Sequence, residues 1–68
     1  MGTKWFLPAD KLPFCNQRVR FIDDKGIEHF GIFIENENMF FIGFHQYGSF
    51  RFTYQVIAWI NYELNFEV

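Results

Sequence analysis

Between Gln17 and Tyr62 most of the aromatic side chains, phenylalanine above all, alternate with other residues. A repeat of two is the repeat of a β-strand, whose successive side chains point to opposite faces. Aromatic and β-branched residues are also the types that fit a pleated surface. The aromatics carry a second constraint, because the chain has only 68 residues. A domain that short buries about 60% of its unfolded surface, so its core is thin. Each buried Phe contributes roughly 1.5–3 kcal/mol. Eleven Phe, two Trp and three Tyr can therefore replace the disulfides or metal on which many small domains depend. Cys15 is the single cysteine, so no internal disulfide forms, which suits a reducing compartment.

Turn residues divide the alternating stretch into five predicted strands, over 17–23, 27–34, 39–44, 50–53 and 56–62. The first turn, Asp23-Asp24-Lys25-Gly26, has Asp where a turn begins and Gly where φ is positive. Glu35-Asn36-Glu37-Asn38 and Gln46-Tyr47-Gly48-Ser49 supply the next two. Strands so short and so closely spaced imply antiparallel hairpins. The predicted fold is all-β: a small antiparallel meander of about five strands curled into an SH3-like open barrel, which limits exposed edges. Residues 1–68 form one domain, with an irregular N-terminal arm over 1–16, the sheet over 17–62 and a tail over 63–68. Pro8 and Pro13 limit any helix in the arm to a single turn around Asp10-Lys11. Trp5, Phe6, Leu7, Leu12 and Phe14 are too many apolar groups for a disordered tail, so the arm is expected to lie on the sheet, over an edge or an open end. Trp5 and Trp59 are expected to be buried and to pin the arm and the last strand.

Which sheet face is core depends on the register of the first hairpin, since a slip of one residue exchanges the faces. A left-handed Gly26 after a type I turn gives a three-residue loop with a bulge. Asp23 then pairs with Ile27, and Phe21 shares a face with His29, Gly31, Phe33, Phe40, Ile42 and Phe44. Without the bulge, Val19 and Phe21 share a face with Phe30, Ile32, Ile34, Met39 and Phe41 instead. Gly26 favours the bulged register. In either register the second face keeps several large apolar groups beside Arg18, Arg20 and Glu28, and something must cover it.

Charge and site chemistry narrow the function. Six Lys/Arg against eight Asp/Glu give a net charge of −2 and a pI near 5.5. That weighs against nucleic-acid binding, which draws on a basic field to neutralise phosphates. The N-terminal residues are too short and interrupted for a signal peptide, and no apolar run approaches the ~20 residues of a membrane span. A soluble, cytoplasmic domain without membrane contact is expected. Cys15, His29 and His45 are the only soft metal ligands, and no two of them have the short spacing of a structural zinc site. A catalytic Cys–His pair would need a positioned base, an orienting group and an oxyanion hole, for which there is no signature. Turn chemistry accounts for Asp23-Asp24. No cofactor is expected, and the domain is read as not an enzyme.

Two resemblances bear on function. His29-Phe30-Gly31-Ile32-Phe33-Ile34, Phe40-Phe41-Ile42-Gly43-Phe44-His45 and Lys4-Trp5-Phe6 resemble elements of cold-shock domains. In that family the aromatic strands stack single-stranded bases. Here, though, more than twenty residues separate the tripeptide from the first aromatic strand, and Glu28-His29 replaces the basic opening of that motif. The wider resemblance spans almost the whole chain: Trp5, Leu12-Pro13, Val19-Arg20-Phe21, Asp24-Lys25-Gly26, Gly31 with an aromatic two residues on, Phe40 or Phe41, and Val56-Ile57-Ala58-Trp59. This pattern is similar to a family of short bacterial and phage-encoded domains of unknown function. The chain departs from it after Trp59, where Ile60-Asn61-Tyr62 stands in place of a proline-rich segment. Such membership implies a small β domain and brings no known activity. The expected function is a non-enzymatic interaction module, binding a protein partner or itself through an aromatic sheet face or strand edge, with Arg18, Arg20, Phe30 and Phe41 as the partner surface. The alternative is single-stranded nucleic-acid binding by the same face.

Overall fold

A computed structural model of the chain describes residues 4–43 and 48–62. It contains strands β1 (Arg18–Asp23), β2 (Glu28–Ile34), β3 (Met39–Ile42), β4 (Phe50–Phe52) and β5 (Val56–Asn61), all paired antiparallel. They form one curled half-barrel sheet in the order β4-β3-β2-β1-β5, an SH3-like open barrel. The first four strands make the meander. The fifth pairs with β1 instead of β4, after a single 3₁₀ turn over Thr53–Gln55. Thr53 holds that corner, its backbone N–H and its hydroxyl both donating to the Asn38 carbonyl, at 3.0 and 2.9 Å. The strand expected over 39–44 ends at Ile42 among the described residues, and Phe44 and His45 lie outside them, as does the tail over 63–68.

The first turn sets the register. Gly26 has φ +81° and donates to the Asp23 carbonyl at 2.9 Å, while Asp23 N–H donates to the Ile27 carbonyl at 3.0 Å. This is the bulged hairpin, and it pairs Phe21 with His29 and Val19 with Gly31. The inner face is therefore Val19, Phe21, Phe33, Phe40, Val56 and Trp59, with Phe6 and Ile42 packed against them. Phe40 is central, its ring 5.0 Å from that of Phe21 and 4.9 Å from that of Phe33. Gly31 is dictated by the curl: a Cβ at that position would lie 1.6 Å from the Phe41 carbonyl oxygen. No side chain fits there, so β2 and β3 approach closely only with glycine.

The arm does cover an edge, but through a different residue than the sequence predicts. Phe6, not Trp5, packs against the core cluster. Phe6 and Trp59 exchange two backbone hydrogen bonds of 2.8 and 2.9 Å, and their rings meet at a tilt with centroids 4.9 Å apart. Trp59 is buried and donates its indole N–H to the Lys11 carbonyl at 2.8 Å, which ties the arm down a second time. Neighbouring residues in an extended segment point to opposite sides. With Phe6 turned inward, Trp5 is left on the outer face, partly exposed.

Candidate interaction surface

The inward alternation leaves the other half of each strand on the outer face. Arg20 pairs with Phe30, Arg18 with Ile32, Ile32 with Phe41, Phe41 with Phe50 and Met39 with Phe52. Cross-strand partners share a face, so Arg18, Arg20, Phe30 and Phe41 all lie on this side. The face has two halves. On β1 it is charged: Arg20 Nε donates to Glu28 Oε2 at 2.7 Å, and the guanidinium lies 5.4 Å from the Trp5 ring centroid and 6.0 Å from that of Phe30. A carboxylate and two rings thus hold the Arg20 charge in place.

On β3 and β4 the face is aromatic. Phe41 meets Phe50 edge to face at 6.0 Å, Phe50 meets Phe52 at 5.2 Å, and Phe52 stacks on Tyr54 at 5.6 Å with only 10° between the planes. Phe30 closes the other side against Tyr62, at 5.2 Å. Phe30, Phe50, Phe52 and Tyr54 keep 48, 39, 37 and 82% of their surface exposed, against 1% or less for Phe21, Phe33 and Phe40 inside. Ile34, Met39, Phe41 and Phe50 enclose a dent of about 320 Å³, with Glu37 at its rim. Sequence reasoning identified Phe30 and Phe41 and passed over Phe50, Phe52 and Tyr54. The signal was present in Phe50-Arg51-Phe52, whose alternation continues that of Met39 and Phe41. A second apolar groove, about 580 Å³, runs between the arm and the 3₁₀ turn past Leu7, Leu12, Tyr54 and Ile57.

The free edge of β4 is less open than its position suggests. Ile42 N–H donates to the Ser49 carbonyl, and Thr53 N–H to the Asn38 carbonyl. Antiparallel ladders alternate, so the backbone groups of Phe50 and Phe52 point away from β3. Two of these are already occupied: Arg51 Nη1 donates to the Phe50 carbonyl at 3.0 Å, and Phe52 N–H donates to Gln55 Oε1 at 3.0 Å. Such caps oppose strand addition along this edge.

Inside the barrel, Asp23 is fully buried and does more than form the turn. Its Oδ1 accepts from the backbone N–H groups of Lys25 at 2.9 Å and Ile27 at 3.0 Å, the turn chemistry the sequence implies. Its Oδ2 lies 2.9 Å from His29 Nε2 and 3.2 Å from Arg51 Nε, so one carboxylate clasps β1, β2 and β4 together. The His29 hydrogen bond, then that of Ile27, then those of Lys25 and Arg51 hold the carboxyl well below the usual carboxylate range, against the opposing effect of burial. Because the carboxylate accepts, the contacting His29 nitrogen carries the proton. Every buried side-chain polar atom among the described residues has a partner. Cys15 is exposed in the turn before β1. No three His, Cys, Asp or Glu side chains among the described residues are grouped to hold a metal ion. Among those residues no helix is long and apolar enough to cross a membrane.

Compared with protein-family models, with curated proteins and with solved structures, the chain matches none. The case for function therefore rests on the surface itself.

Proposed function

We propose that the domain is a non-enzymatic interaction module, acting in the cytoplasm, that engages a protein partner or a second copy of itself through the outer face of its sheet. The run of rings Phe41, Phe50, Phe52 and Tyr54, of which the last three are exposed, is the observation that carries this reading. Contiguous exposed aromatics beside a charged border have the composition of a protein interface, apolar at the centre and polar at the rim. The caps on Phe50 and Phe52 favour the face over the strand edge. A nucleic-acid surface would need cations to neutralise phosphates, and here Glu28 already engages Arg20.

Sedimentation of the domain across a concentration series, with a Phe50→Ser/Phe52→Ser double variant alongside, tests the proposal. Association that the double variant abolishes supports self-recognition through this face. If the domain stays monomeric, the face should give way to a protein partner whose binding is equally lost in the variant. Micromolar binding of a single-stranded oligonucleotide with a steep salt dependence would overturn the proposal.

A further inference from the structure

We infer that the dent at the centre of the aromatic half is a seat for an organic ammonium group, supplied by a lysine side chain of the protein partner. The inference rests on the interaction role proposed for this face and specifies the anchor that it captures. Three features point to a cation. The Phe41 and Phe50 rings both line the dent, at 72° to each other, so a guest there meets aromatic surface from two side chains. A cation over a ring face is attracted by the ring quadrupole, and aromatic-lined sites suit alkylated ammonium groups. Met39 and Ile34 complete an apolar lining that accommodates the methylene stem of a lysine. Finally, the one charged residue among the described residues that line the dent is Glu37, a carboxylate. The basic residues on this face, Arg18 and Arg20, stand on β1, separated from β3 by the width of β2. The local field at the dent thus favours a positive guest, in keeping with the chain's net charge of −2.

The dent measures about 320 Å³, at the lower end of the range for ligand pockets, which leaves ample room for one long side chain. Alkylation of the nitrogen should strengthen binding, because methyl groups spread the charge and reduce the cost of stripping water from it. The preference expected is trimethyllysine over lysine over norleucine, the last having a similar stem without the charge.

Nuclear magnetic resonance titration of the intact domain with the capped amides of these three residues tests the inference. Ring-proton shifts of Phe41 and Phe50 should saturate at millimolar trimethyllysine amide, with little response to norleucine amide. Glu37→Gln, in an exposed turn, should weaken binding several-fold without disturbing the fold. Phe41→Leu keeps an apolar side chain of similar bulk but removes a ring face, and should erase the preference for the charged amide. Equal binding of norleucine amide, or no saturable shift with trimethyllysine amide, overturns the inference. If that happens while Phe50→Ser/Phe52→Ser still abolishes association, the interface stands and only its anchor is wrong. If the ammonium binds but the double variant leaves association intact, the seat is real and the interface lies elsewhere.

Discussion

The inner and outer faces of this sheet are built from the same residue type on the same strands, yet they have opposite fates. Phe33 and Phe40 are sealed, whereas Phe30 and Phe41, one strand position or a few residues away, face outward. Phenylalanine content therefore says little about where the core lies. The pleat assigns each ring to a side, and the curl decides which side closes. The inner side closes because Phe6 from the arm and Trp59 from β5 fill it and a buried carboxylate fastens three of its strands. The outer side has the rings without the closure. Its Arg20–Glu28 pair is open to water, while the inner pair of Asp23 and Arg51 has its carboxylate fully enclosed.

The contrast is tested most severely by the two tryptophans. Trp59→Ala empties the centre of the inner face and should cost about 3–5 kcal/mol, most of the stability of a domain this size. Trp5→Ala removes a partly exposed ring from the outer face and should cost no more than about 1 kcal/mol. Urea denaturation followed by circular dichroism measures both, and equal losses would erase the distinction between the faces. Next in size is Gly31→Ala, because the new methyl has nowhere to go but into the Phe41 carbonyl. A loss near the upper end of about 1–3 kcal/mol is expected. Amide exchange should speed up between β2 and β3 and not between β1 and β5.

Asp23 gives a prediction in pH. Its carboxyl is depressed in the folded state, so its contribution to stability is fully present above the unfolded pKa of about 4 and is lost as pH falls through the lower folded value. Stability should thus decline progressively in acid, starting below about pH 5. Asp23→Asn should be less stable at neutral pH and flatter in acid, and identical acid profiles for the two proteins would remove the carboxylate from the account. The smallest effect belongs to the outer ion pair. Arg20→Ala should change stability by less than about 1 kcal/mol, because the side chains of both members of the pair are well exposed. A larger loss would show that Trp5 and Phe30 depend on the guanidinium between them.

Much of this architecture is legible in the chain because it is local. The hairpin turns, the period-two alternation and the left-handed glycine at position 26 lie within a few residues of the strands they govern. Together they favour the bulged register, and the structure pairs Phe21 with His29 as that register requires. In that register Arg18, Arg20, Phe30 and Phe41 share a face. The glycine at position 31 is visible in the sequence, but its reason, the nearness of the Phe41 carbonyl, is not.

What only the tertiary structure decided involves residues far apart in sequence. Pairing of β5 with β1, entry of Phe6 in place of Trp5, and the reach of Arg51 across 28 residues to Asp23 all depend on how the sheet curls. The caps on the β4 edge are local by contrast, one residue and three residues apart, and they make the exposed strand a poor template. The alternation in the sequence determines that each strand has two sides. It does not carry the direction of curvature, because that is settled by close packing among side chains and backbone from every strand at once.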